Sequence, residues 1–140
     1  MAFSYYAVGR AQITSNPEAA VQAFAEAGRI YRAMPGGAVH AAHVDMQLAA
    51  IALSTGQPDQ AISFADRAIP VVQRAENAAL LATLMLIKAE AFENRGDAAQ
   101  AKALRLDSLG WARYGFGSEQ QVRARMSEIS SLGARGRRQG

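Results

Sequence analysis

A pair of small residues seven positions apart occurs three times in the chain, as Ala20 and Ala27, Ala61 and Ala68, and Ala101 and Ser108, each time shortly after a turn-forming dipeptide. The pairs recur every 40 to 41 residues. A unit of that length cannot bury its apolar face alone, so such units stack, share a core and leave an extended surface open to a partner. Small residues by themselves decide nothing here, because Ala, Gly and Ser fill 52 of the 140 positions. Constant spacing is what marks the repeat. Val8 to Ala20, Ala49 to Ala61 and Ala89 to Ala101 are each 12 residues apart across the turn, whereas Ala27 to Ala49 is 22 and Ala68 to Ala89 is 21. Close helix approach requires small side chains at set points and a fixed loop between them, which holds the turn side constant and lets the far side vary.

Helical periodicity surrounds each turn. Val44, Leu48, Ile51 and Ala52 precede Thr55-Gly56-Gln57-Pro58-Asp59, and Ala61, Ile62, Ala65, Ala68 and Ile69 follow it. Gly56 suits a helix C-terminus, where left-handed dihedrals cost it little, and Pro58 suits a first helical turn, whose N–H groups lack partners anyway. Leu80, Leu84, Ile87 and Ala91 lead in the same way to Asn94-Arg95-Gly96-Asp97, with Asp97 as a cap, and Ser15-Asn16-Pro17-Glu18 is the first such turn. Pro70 is expected to kink or end its helix. With 31 alanines, four prolines and no period-2 run, the chain reads as all-α. The expected architecture is three stacked helical hairpins over about 2–34, 39–74 and 77–114, a capping helix over about 118–132 and a disordered basic tail over 133–140. A non-repetitive helical bundle is the alternative.

The absence of cysteine excludes disulfides, thiolate metal sites and thiol nucleophiles. The longest apolar run, Ala78 to Ile87, is about half of the ~20 residues that a membrane-spanning helix requires. The start, MAFSYYAVGR, lacks the basic and apolar regions of a signal peptide, so the cytoplasm is the expected compartment, with the periplasm left open for a processed chain. No nucleophile paired with a base emerges, so no enzymatic activity and no cofactor are expected.

These units resemble tetratricopeptide repeats, whose second helix carries an Ala-x3-Phe step after a Gly-containing turn. Ala20-x3-Phe24 matches that step, the second unit places Phe64 one residue early with Ala65 in the Phe slot, and the third has Leu104 beside Arg105. The likeness covers about residues 2–114, and no Trp or Leu-Gly pair marks a first helix. The period exceeds the usual ~34 residues by about one turn per helix, as in the longer variants of kinesin light chains and of bacterial activators of the maltose-regulator type. The resemblance implies a superhelix whose first helices line a concave groove. Its groove residues would be Tyr5, Tyr6 and Gln12; His43, Met46, Gln47 and Ala50; and Leu86, Glu90, Glu93 and Asn94. The Lys/Asn carboxylate clamp of the chaperone-binding members is missing, since Tyr5, Met46 and Leu86, with Tyr6, Gln47 and Ile87, stand in its places. The implied ligand is a helix or extended peptide with apolar anchors and some basic residues. Leu86 and Met46 fit the core equally well.

Other constellations have two readings each. His40 and His43, with Asp45 nearby, have helical spacing for metal ligands, but lack a second ligand cluster and read more simply as solvated histidines. Tyr114-Gly115-Phe116-Gly117 precedes a Ser118-x-x-Gln121 capping box that opens a helix with Val122, Met126, Ile129 and Leu132 on one face. Without a Lys-Ser/Thr or a preceding strand the glycines do not make a phosphate loop, and the helix is expected to cover the third hairpin's open edge on Trp111, Tyr114 and Phe116. Residues 1–97 carry seven basic and nine acidic groups, whereas residues 98–140 carry eight and three. That basic third, with Trp111, Arg113, Tyr114, Phe116, Arg123 and Arg125 interleaved, makes a nucleic-acid-associated module or regulator fragment the alternative function. A protein or peptide partner is the first expectation. Phe3, Tyr5 and Tyr6 lie on a short first helix, and an exposed aromatic cluster there would support a homodimer or a docking partner.

Overall fold

Side-chain caps and early prolines set most of the helix starts. The Asn16, Asn77 and Asp97 side chains accept hydrogen bonds from the backbone N–H of Ala19 (3.2 Å), Leu80 (3.1 Å) and Gln100 (3.3 Å), each satisfying an otherwise unpartnered first-turn donor. Pro17 and Pro58 occupy the first turns of their helices, where a missing N–H removes no bond. The computed structural model describes residues 2–139. Within them lie α1 (Ala2–Gln12), α2 (Pro17–Ala33), α3 (Ala38–Ser54), α4 (Pro58–Arg74), α5 (Ala78–Asn94), α6 (Ala98–Phe116) and α7 (Glu119–Gln139). The chain is all-α and repeat-like in its architecture, with no strand among the described residues.

The period is finer than the hairpin. Residues with left-handed backbone stand at Gly36, Gly56, Glu76, Gly96 and Gly117, which are 20, 20, 20 and 21 residues apart. Each closes a helix and α2 to α5 all have 17 residues, or about 25 Å at 1.5 Å per residue. Glu76, at φ 58°, occupies the one position in this series that lacks glycine, and it carries the conformational penalty glycine avoids. The difference between 22 and 21 residues on the far side is one residue of connection: Met34–Gly37 joins α2 to α3, and Ala75–Asn77 joins α4 to α5.

Each helix from α1 to α6 packs on the next in sequence, and α3 also touches α5. The small-residue pairs lie in these contacts, with Ala20, Ala27, Ala61, Ala101 and Ser108 fully buried and Ala68 nearly so. Phe24 packs with Val44, Leu48 and Ile51 between α2 and α3, and Ala65, Ala68 and Val72 pack with Leu80, Leu81 and Leu84 between α4 and α5. In the first unit the close approach is made by Gly9 rather than by Val8: Val8 is 47% exposed, and a Cβ on Gly9 would press into the Phe24 ring at 2.9 Å. Gly9, Ala49 and Ala89 are therefore the true equivalents, 40 residues apart.

Four sequence expectations need correction. α4 runs without interruption past Pro70 to Arg74. Pro70 and Asp66 are both exposed, so the Asp66 carbonyl that loses its partner faces water. The expected disordered tail, residues 133–140, is instead helical as far as Gln139, with Gly133 and Gly136 buried; Gly140 lies outside the described residues. Trp111 and Tyr114 do not anchor the last helix, being 45% and 84% exposed, whereas Phe116 packs beside Val122 and Met126. Phe3, Tyr5 and Tyr6 do not form one exposed cluster, because Tyr6 turns inward and meets Phe24 edge-on at 5.4 Å. No described helix is long and apolar enough to cross a membrane.

Ala61 is fully buried in a cluster with Ala49, Ala52, Leu53 and Ile87. Replacing it by leucine overpacks the α3–α4 approach at a cost of roughly 1–3 kcal/mol. Ala61→Leu is expected to lower the melting temperature by several degrees, and an unchanged melting temperature would remove this contact from the account of the fold.

Candidate partner-binding face

α3 and α5 are apolar around most of their circumference, and a helix of that kind needs cover on every side. Twelve of the 17 residues of α5 are buried, and nine of the 17 in α3. Neighbours in the stack cover two sides of each, and α7 covers the side that they share. α7 runs parallel to α5: Val122 sits with Ala82 and Ala112, Ile129 with Leu53, Leu86 and Ile87, and Gly133 against Glu90. The two glycines permit this approach. A Cβ on Gly133 would overlap the Glu90 side chain, and one on Gly136 would overlap the Leu53 carbonyl.

Polar contacts fix the register. Asn94 Nδ2 donates to the Gly133 carbonyl at 3.0 Å, and Arg137 Nη1 donates to Asn94 Oδ1 at 2.6 Å and to Glu90 Oε1 at 3.1 Å. The second Glu90 oxygen accepts from Arg105 Nη2 of α6 at 3.0 Å. Glu90 is only 6% exposed. A carboxylate at that depth costs several kcal/mol, by order of magnitude, unless paired, and one arginine on each oxygen offsets that cost.

The residues implied by the family resemblance divide into two groups. Leu86 and Glu90 are buried beneath α7, Asn94 bonds to it, and Met46 and Ala50 are half-buried against the same core. Leu86 is thus core, and Met46 bridges that core and the one between α4 and α5. Glu93 is exposed and pairs with Arg105 at 3.4 Å. Away from α7, Gln47 Nε2 donates to the Tyr6 hydroxyl at 3.2 Å, linking α1 to α3. Tyr5 is exposed beside it in sequence, and Gln12 and His43 are half-buried.

Two features lie beyond the sequence reading. Asp45, 3% exposed, accepts from Arg67 Nε of α4 at 3.1 Å and from its Nη2 on the other oxygen, with Arg32 of α2 at 3.6 Å, so one carboxylate ties three helices. Its polarity amid the apolar α3 run was the available signal. A cleft of about 680 Å³ also opens where α2 begins, with Asn16, Val21, Leu48, Thr55 and Phe64 on its walls. No local motif marks it, because it arises from the divergence of α2 and α4.

His40 stacks on Tyr31 with ring centroids 5.1 Å apart, and among the described residues no group of three or more His, Asp or Glu could hold a metal ion. His43 has its pKa lowered from the ordinary 6.5, first by burial and second by His40. A depressed histidine pKa means that the unfolded chain binds the proton more readily. Stability is therefore full above about pH 6.5 and falls as pH drops through that value toward the folded pKa. The melting temperature should decline on acidification from pH 7.5 to about 5.5, and less so in His43→Gln. Equal declines in the two proteins would assign the effect to other groups.

No protein-family model, no curated protein and no solved structure matches the chain, so the reading of this face rests on its own geometry.

Proposed function

We propose that this chain is a protein-interaction module of the tetratricopeptide-like kind, in which α1, α3 and α5 line a groove that receives an amphipathic helix of a partner protein. The observation that carries this reading is α7, a 21-residue helix lying along α3 and α5. It is seated by an apolar stripe at Val122, Met126 and Ile129 and by an arginine on a buried carboxylate. That is the helix-in-groove mode of recognition, with anchors at i, i+4 and i+7. The α1–α3 side, with Tyr5 exposed and His43, Met46 and Gln47 half-buried, extends the same face beyond α7.

The charge of the last third also favours a protein partner. Arg105, Arg125 and Arg137 are engaged in ion pairs within the molecule, which removes them from the basic set available to nucleic-acid phosphates.

Placing p-benzoylphenylalanine at Gln47 of the full chain should, on irradiation in its native cells, yield a cross-link to a discrete partner protein. The same group at the exposed Asp107 of α6 should not. Absence of any adduct from both Gln47 and Tyr5 would overturn the reading.

A further inference from the structure

By register α7 stands where a fourth first-helix would begin. α3 starts at Ala38, α5 at Ala78 and α7 at Glu119, intervals of 40 and 41 residues. α3 packs on α2 and α5 on α4, yet α7 meets α6 chiefly near their shared turn and lies mainly on α3 and α5. The outer side of α6 is left bare, with Leu106, Trp111 and Tyr114 exposed. α7 has thus left the stacking position and taken a ligand's position.

We propose that α7 is an internal ligand of this face, and that the external partner is a helix of the same chemistry that competes with it. This rests on the groove reading above and names the partner: apolar anchors spaced as Val122, Met126 and Ile129, glycines placed as Gly133 and Gly136, and an arginine placed as Arg137. The attachment has the features of a reversible one. Only four of the 21 residues of α7 are buried, against 12 of 17 in α5. Gly117 and Ser118 alone join α7 to α6, and Gly117 has φ 80°. When Arg137 leaves, Glu90 keeps Arg105 on its other oxygen, so the buried carboxylate is not orphaned. Departure of α7 uncovers Leu53, Leu86 and Ile87, and that apolar strip is stable only under another helix. The face therefore exchanges occupants rather than standing open.

The test uses the full chain and a fluorescein-labelled peptide of residues 119–139 as the probe. Gly136→Leu places a side chain against the Leu53 carbonyl and weakens the docking of the chain's own α7. The Gly136→Leu chain should bind the peptide at least tenfold more tightly than the unaltered chain, and a peptide carrying Arg137→Glu should lose that gain. A helical Gly136→Leu chain that binds no better than the unaltered one overturns the proposal. So does a Gly136→Leu chain that becomes a dimer by light scattering, since a second copy would then be the occupant. If Gly136→Leu fails to fold, hydrogen exchange of the unaltered chain decides. Amides of 127–139 should exchange at least tenfold faster than those of 82–91, and equal protection would make α7 a fixed part of the core. Loss of exchange with the Gln47 cross-link retained removes the internal ligand and leaves the groove reading standing; the opposite pattern removes the partner alone.

Discussion

Two helices in this chain, α3 and α5, must be covered on nearly every side, and the rest of the structure follows from how that cover is supplied. Each carries apolar residues around most of its circumference, and leaving such a helix half in water forfeits about 25 cal/mol for every Å² of apolar surface exposed. Neighbours in the stack cover two sides through alanine and glycine contacts. The third side belongs to α7, whose narrow apolar stripe and two glycines match the surface presented to it. Burial by close approach of backbones thus explains both the repeat spacing and the position of the last helix.

Two buried carboxylates add direction to this otherwise non-directional packing. Asp45 gathers Arg67 and Arg32 from α4 and α2, and Glu90 gathers Arg105 and Arg137 from α6 and α7. In each case a first helix of a hairpin supplies the acid and the helices around it supply the base. Apolar contacts between alanine-rich helices tolerate sliding, and fixed charge pairs of this geometry resist it. The arrangement at Glu90 also distinguishes the two arginines by origin, one from the permanent stack and one from the helix laid over it.

The parts of the fold legible in the sequence are those set by local chemistry. Asn16, Pro17, Pro58 and Asp97 mark helix starts, and Gly56 and Gly96 mark ends, because capping and left-handed backbone are decided within a few residues. The first close contact is displaced by one position, from Val8 to Gly9, because small-residue matching cannot choose between neighbours without knowing which way the helix faces. The tail was illegible for a different reason. Gly133, Gly136 and Arg137 have no local claim to order, and their order comes from Asn94, Leu53 and Glu90, which lie about 40 to 80 positions away in the chain. The same applies to the candidate site. Glu90 and Asn94 were named on the correct face, yet their partner on α7 could be found only by noticing that α3 and α5 are too apolar to stand uncovered.

The placement of α7 is the central claim, and a distance tests it most directly. The chain has no cysteine, so spin labels at Gln57→Cys and Arg138→Cys, both exposed positions, report a single pair by pulsed electron–electron double resonance. With α7 seated on α3, the two backbones lie about one helix spacing apart, roughly 8–10 Å, and the distribution should be short and narrow. A separation longer by a further helix spacing or more would place α7 as an ordinary fourth layer on α6, and a broad distribution would return it to a tail; either result contradicts the account.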